Sequence, residues 1–452
     1  MMGQTGQVKT DIPPSGSGKV RWVVCLLLFF ATSINYIDRQ IIGLLKPVLE
    51  KQFNWSESDY GLMITAFTAA YAGGQLIFGG LIDRIGTRLG LAWSMIIWSL
   101  SAMAHALVRS TLGFMTVRIS LGLGEAGNFP ASIRAVAEWF PRSERALATG
   151  IFNSGSNAGA VLAPVIVPLI FGIYGWKAAF LATGAVGFIW LLFWLLFYEI
   201  PARQHRLGTA ENTFIHGDGE NIEPAPAGSW FGLLKLRKTW AFISGKFLTD
   251  PVWYFFLFWL PSYFNTTFHL DLKKPSLPLV IVYSATTLGS IGGGYISSRL
   301  IRQGVPAARA RKVTMFYIAL AVVPVIGARF TTSLWVIVAL ISLAAAAHQA
   351  WSANIFTTVS DSFPRHSVSS VIGLGGMAGA TGGALFPLLI GAILDYFKSR
   401  HDLISGYNLL FTIAGFAYLF AWVIMHLLSK RRESDRPGDG ISLPEGGRAS
   451  SL

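Results

Sequence analysis

Charged residues are scarce in this chain of 452 residues: Asp, Glu, Lys and Arg make up 13% of it, about half the roughly 25% of an ordinary soluble protein. That shortage excludes a disordered chain and a typical cytosolic enzyme. Cysteine is nearly missing too. Cys25 stands alone, so there is no internal disulfide framework and no cysteine metal site. Catalytic signatures are also lacking: no G-x-x-x-x-G-K-[ST] loop, no G-x-S-x-G elbow and no H-E-x-x-H pair occurs. No polar stretch is long enough for a separate nucleotide-binding domain, so the expectation is no enzyme, no metal and no cofactor. Basic residues do not alternate with aromatics in a stripe, which argues against a nucleic-acid partner.

Apolar residues are abundant, at 52%. A bilayer core takes about 20 of them per helix, and about a dozen stretches qualify. They are 22–45, 60–82, 89–108, 111–137, 147–172, 177–198, 240–264, 278–300, 312–328, 332–358, 369–396 and 405–428. The partner implied is the lipid bilayer. The first stretch is full length, lacks a small-residue cleavage site and carries charge near its end, so it is not read as a signal peptide.

The net charge of +13 is concentrated in alternate loops. Arg84 and Arg88, Arg142 and Arg145, Arg203 to Lys238, Arg299 to Lys312, Arg365, and Lys430 to Arg432 fall on one side; the intervening loops are mixed. The excess of Lys and Arg places both termini in the cytoplasm. The organisation read from this pattern is a tail (1–20), an N-terminal bundle (21–199), a polar central loop (200–238), a C-terminal bundle (239–429) and a second tail (430–452). A degenerate repeat agrees with the division: Gly79-Gly-Leu-Ile-Asp83-Arg84-Ile-Gly86-Thr-Arg88 follows the second span, and Gly294-Tyr-Ile-Ser-Ser298-Arg299 follows the eighth.

An ionisable side chain inside a bilayer is expensive unless paired or hydrated, which makes each one a functional candidate. Asn35, Asp38 and Arg39 lie at i, i+3 and i+4 in the first span, a carboxylate beside a guanidinium on one helix face. A structural ion pair is the plainer alternative. Arg118 and Glu125 are seven residues apart in the fourth span, two turns less about 20°, so they project to one side. Burial disfavours charge on Glu125 and a neighbouring Arg favours it, a balance suited to taking up and releasing a proton; a fixed Arg118–Glu125 bridge is the alternative. Pro130 is expected to bend this span just beyond.

Tyr71 and Gln75 are i, i+4 in the second span, and Asn153 and Ser156 sit among glycines in the fifth. The Gly155-x-x-x-Gly159 pattern fits close helix packing, while the amides and hydroxyls suit a polyhydroxylated ligand. In the second half Lys246 and Asp250 are i, i+4 and can pair with each other; Trp253 follows. Trp351 and Asn354 share a face of the tenth span with His348 one turn earlier, a set that can stack on a sugar ring and read its hydroxyls, or simply pack. Asp83, Arg84 and Arg88 lie at the cytoplasmic edge, where a conformational, gating role is expected.

The segment Gly79 to Arg88 resembles the signature of the major facilitator superfamily between its second and third helices. Asn35-Tyr36-Ile-Asp38-Arg39 and Arg118-Ile-Ser-Leu-Gly-Leu-Gly124-Glu125-Ala-Gly127-Asn128-Phe129-Pro130 resemble its anion:cation symporter family. Phe247-Leu-Thr-Asp250-Pro251-Val-Trp253, Asn354 to Asp361 and Gly373 to Met377 resemble the bacterial hexuronate (glucuronate/galacturonate) transporters within that family. The resemblance implies an all-α membrane protein of the major facilitator fold, with about twelve transmembrane helices in two six-helix bundles. It also implies a secondary transporter that imports a sugar acid by proton symport and works as a monomer in the bacterial inner membrane. By the same likeness Asp38 and Glu125 couple protons, and Arg39, Arg118, Tyr36, Tyr71 and Ser156 belong to the substrate site. The vesicular glutamate members carry an Arg in helix seven where this chain has Thr249-Asp250, which argues against dicarboxylate amino acids. The galactonate relatives place Asn in helix eleven where this chain has Gly and Ala around Ala378 to Gly382. Galactonate or glucarate as cargo, sodium as the coupling ion, and a passive anion channel are the alternatives.

Overall fold

The computed structural model describes residues 19–216, 230–271, 273–363 and 365–429. Residues 1–18 and 430–452 of the two expected tails, and 217–229 of the central loop, lie outside the described residues. The order of elements is α1 (Val20–Phe53), α2 (Glu57–Ile85), α3 (Thr87–Ala104), α4 (Thr111–Glu125), α5 (Asn128–Trp139), α6 (Arg142–Tyr174) and α7 (Trp176–Phe197). Short helices α8 (Thr209–His216) and α9 (Trp230–Leu234) occupy the polar middle. Then come α10 (Arg237–Phe268), α11 (Leu277–Arg302), α12 (Ala307–Val322), α13 (Leu334–Ser362), α14 (Arg365–Ser399) and α15 (Leu403–Leu428).

Among the described residues, 8 segments can cross a membrane by length and composition: α1, α6 from Ala148, α7, α11, α12 with its 3-10 continuation to Phe330, α13, α14 from Val371 and α15. Two of the remaining expected spans depart from that pattern for visible reasons. The stretch 111–137 is not one helix; it breaks at Ala126-Gly127 into α4 and α5. The break precedes Pro130 because a proline, lacking an N–H, fits the first turn of the new helix α5. Helix α10 dilutes its apolar run with Lys246, Asp250, Pro251 and Asn265.

Local chemistry sets the turns. Ser56 caps α2, its hydroxyl accepting from Asp59 N while the Asp59 carboxylate accepts from Ser56 N, at 3.0 and 2.9 Å. Gly86, at φ 85°, turns α2 into α3 within a single residue, a conformation that favours glycine. Gly155 and Gly159 press against the backbone of α1 at Phe29 and Ser33, where a Cβ would collide with carbonyl oxygens. The small-residue pattern of the fifth span is therefore a packing seam.

Helix α1 packs on α6, α2 on α4 and α3 on α7; α11 packs on α13, α10 on α14 and α15, and α12 on α13. The first and second sets meet through α2 with α14, α1 with α10, and α6 with α11. The hydrogen bonds that join them cluster at one end. The Asp395 carboxylate accepts from the backbone N–H of Glu57 and of Ser58, both at 2.8 Å, so an anion from α14 sits on the N-terminus of α2. Buried Lys46 reaches Glu57 at 2.7 Å and the Ser262 hydroxyl at 3.3 Å. Tyr60 donates to the Phe258 carbonyl and Thr65 to the Ala384 carbonyl, at 3.0 and 2.7 Å. Lys398 pairs with Glu50.

The opposite end carries the Arg-rich loops. There Arg88 bonds Glu199 and the Leu195 carbonyl, both within the first set, and Arg84 is exposed. The Asp83 side chain lies outside the described residues. Two charge-assisted bonds to Asp395 are worth roughly 3–6 kcal/mol together. Asp395→Ala is therefore expected to loosen this end. Spin labels on Asn54→Cys and Arg400→Cys should then show a longer distance component by pulsed electron resonance; an unchanged distribution would refute the assignment of this end as a closure.

Candidate functional site

The site forms where α1, α2 and α4 meet the face of α10. Arg39 is its centre. It donates from Nε at 3.0 Å and Nη2 at 2.8 Å to a single oxygen of Glu125, and from Nη2 to the Asn35 side-chain oxygen at 3.2 Å. Three rings surround its guanidinium: Tyr71, Tyr36 and Phe67, at 4.7, 4.9 and 5.2 Å from their centroids. A planar cation gains from such faces where water is excluded. Both partners of the pair are buried.

Arg118 is 1% exposed and lies 4.2 Å from the Phe67 centroid. Its Nε and Nη2 have no hydrogen-bond partner among the described residues. The second oxygen of Glu125 and the Asn35 amide nitrogen are likewise open. The fixed Arg118–Glu125 bridge weighed from the sequence is not formed; Glu125 pairs with Arg39 instead. The cluster thus holds unused guanidinium donors beside a carboxylate engaged through one oxygen, and open donors are what an incoming carboxylate requires.

Asp38 corrects the sequence reading more sharply. It does not pair with Arg39, since adjacent positions point about 100° apart round a helix. It is 1% exposed, and neither of its oxygens has a hydrogen-bond partner among the described residues. Its polar neighbours are Trp98 of α3 and Thr183 of α7. A buried carboxyl with open acceptors needs a proton, a water or a moving partner.

The second half presents a stripe of which the sequence singled out the Lys246–Asp250 pair but not its continuation. Lys246, Asp250, Tyr254 and Phe258 follow one another at four-residue intervals along one face of α10. Lys246 and Asp250 pair at 2.7 Å. Tyr254 interacts electrostatically with Arg39, Tyr36 and Tyr71, and Phe258 lies 5.9 Å from the Arg118 guanidinium. The i, i+4 recurrence was the available signal. Tyr36, Tyr71 and Gln75 are half-buried, Ser156 is half-buried and Asn153 exposed.

Trp351, Asn354 and His348 take the packing alternative. All three are buried. The Asn354 amide donates to the carbonyls of Gly293 on α11 and Ala350, at 3.0 and 2.9 Å. His348 shares a 2.6 Å hydrogen bond with the Tyr418 hydroxyl and stacks on Trp253, and Trp351 packs edge-on against Tyr418. They tie α13 to α11 and α15. Periodicity marked them as one face without telling which neighbour that face meets.

Residues 28–387 match the family model described as Major Facilitator Superfamily. A hexuronate transporter of Escherichia coli (strain K12) is 32% identical over 420 residues, covering 91% of this chain and 95% of that protein. A galacturonate transporter of Dickeya chrysanthemi is 34% identical over 280 residues, 61% of this chain and 81% of that one. A D-galactonate transporter of Escherichia coli O6:H1 is 27% identical over 395 residues, covering 84% and 91%. Among solved structures, a bacterial homologue of the human lysosomal transporter Spinster, inward-facing and unoccupied, aligns with a TM-score of 0.76 at 19% identity over 91% of this chain and 98% of that chain. That likeness is one of fold.

Proposed function

We propose that this chain, which belongs to the Major Facilitator Superfamily and carries small organic anions across the bacterial inner membrane, imports a hexuronate by proton symport. The observation that carries the reading is the Arg39–Glu125 pair beside the open donors of Arg118.

Charge arithmetic gives the coupling. Arg39 and Arg118 contribute two positive charges, and Asp38 and Glu125 two negative ones when ionised. The empty cluster is then neutral. A proton on Glu125 releases Arg39 from its carboxylate and leaves one uncompensated positive charge, the match for a monoanionic sugar acid. The carboxylate of the substrate replaces that of the protein in a forked bond, which suits a guanidinium better than an ammonium. A proton on Asp38 adds a second uncompensated charge, so proton uptake and anion affinity rise together.

The bundles 21–199 and 239–429 rock about this site in alternating access. Taking the Arg-rich end as cytoplasmic, the closure through Asp395, Lys46 and Tyr60 faces the periplasm and the conformation is inward-facing. Asp83, Arg84 and Arg88 then serve the opposite closure, formed when the cytoplasmic ends approach. Tyr36, Tyr71, Gln75, Ser156 and Asn153 are the half-buried and exposed polar groups available to sugar hydroxyls.

The test is uptake into proteoliposomes of the purified monomer. Glucuronate or galacturonate should accumulate severalfold when an inward proton gradient is imposed, with sodium present or absent. Accumulation driven by sodium alone, or of galactonate or glucarate in preference to both hexuronates, would overturn the reading.

A further inference from the structure

The Lys246–Asp250 pair faces the proton-coupled cluster from the other half of the molecule and has no part in the coupling described above. Its side chains are 9% and 22% exposed, and the nitrogen and oxygen stand 2.7 Å apart. The Lys246 ammonium also lies 4.7 Å from the centroid of Phe356, so it is held on both sides. Asp250 fills a seat left by Gly379: a Cβ there would come within 3.0 Å of the Asp250 Cγ. Asp250 is in electrostatic reach of Tyr36 and of Tyr254, and Tyr254 in turn is in reach of Arg39. The site therefore has two unlike ends. One offers guanidinium donors of Arg118 that no described residue engages. The other offers a cation and a carboxylate already matched to each other.

We propose that the Lys246–Asp250 pair sets how many carboxylates the cargo bears, admitting a sugar acid with one and rejecting a sugar acid with one at each end. The proposal rests on the reading of the Arg39 end as the seat of the first carboxylate. With that end anchored, the far end of a hexose-length molecule meets Asp250. A hydroxyl there donates to the carboxylate or accepts from the ammonium and leaves the pair intact. A second carboxylate meets like charge in a site of low dielectric, with Lys246 already engaged, and juxtaposed like charges strongly oppose binding. Removing the Asp250 charge reverses the preference, because it frees a buried cation at that position.

The experiment is competition binding to the purified full-length transporter, using two matched pairs of acids: glucuronate against glucarate, and galactonate against galactarate. Three proteins are compared: wild type, Asp250→Asn, and the neutral double variant Lys246→Gln/Asp250→Asn. In wild type the monoacid of each pair should bind tighter. In Asp250→Asn the diacid-to-monoacid affinity ratio should rise about thirtyfold. The double variant, which loses the repulsion without gaining a free cation, should fall between the two. It keeps the comparison decisive if an unpaired Lys246 prevents Asp250→Asn from folding. The same ratio in all three proteins, or a wild type that prefers the diacids, overturns the proposal. If the wild type binds galactonate and neither hexuronate, the hexuronate reading fails, while the galactonate-to-galactarate ratio still decides this one.

Discussion

Glu125→Gln is expected to abolish gradient-driven accumulation of the hexuronate while sparing exchange of labelled for unlabelled substrate. Gln keeps the shape of Glu and one acceptor for Arg39, but it has no proton to give or take. Arg39 is then permanently short of a negative charge. An unpaired buried cation costs several kcal/mol, and a bound anion relieves that cost whatever the pH. The variant should therefore bind substrate well in alkaline solution, where wild type is expected to bind poorly once its carboxylates ionise and hold the arginines. It should release substrate slowly, and its accumulation ratio in proteoliposomes should fall towards one, since Glu125 no longer couples binding to a proton. Asp38→Asn should also lose accumulation. Its carboxyl lies behind the pair against Trp98 and Thr183, so counterflow should survive there as well. If both variants still concentrate the substrate, the coupling assignment is wrong.

Arg39→Lys should weaken substrate binding about a hundredfold, close to 3 kcal/mol, although the charge is conserved. The guanidinium reaches the Glu125 oxygen with two nitrogens and Asn35 with one of them, while three rings face it. A lysine supplies a point charge on a flexible stem and neither forks nor stacks in the same way. Isothermal titration of the purified variant measures the loss; a Kd within threefold of wild type would remove Arg39 from the substrate site.

The 8 apolar spans among the described residues were legible because lipid leaves the backbone few options: a segment in the hydrocarbon core must satisfy its own hydrogen bonds, so long apolar runs read as helices. The break at Gly127 was half legible. Pro130 announced it, but a proline disturbs the chain before it enters a helix, and the helix resumed earlier than a bend at Pro130 implies. Arg39, Arg118 and Glu125 stood out because charge is costly where they lie. Their partners did not, since which guanidinium meets Glu125 depends on how α1 and α4 are set against each other, and spacing along one helix carries no such information. Trp351 and Asn354 misled for the same reason. The closure of Lys46, Glu57, Asp395 and Lys398 went unread because charges near span ends are common and cost little.

The central claim is that an anion and a proton bind together, through Arg39 and Glu125, because each restores the local balance of charge that the other upsets. Its most direct test is proton uptake by the purified transporter in weakly buffered detergent solution when glucuronate or galacturonate is added. The account predicts that binding draws protons from solution, turning it more alkaline, and that Glu125→Gln draws fewer. Substrate binding with no proton uptake, or with proton release, would contradict it.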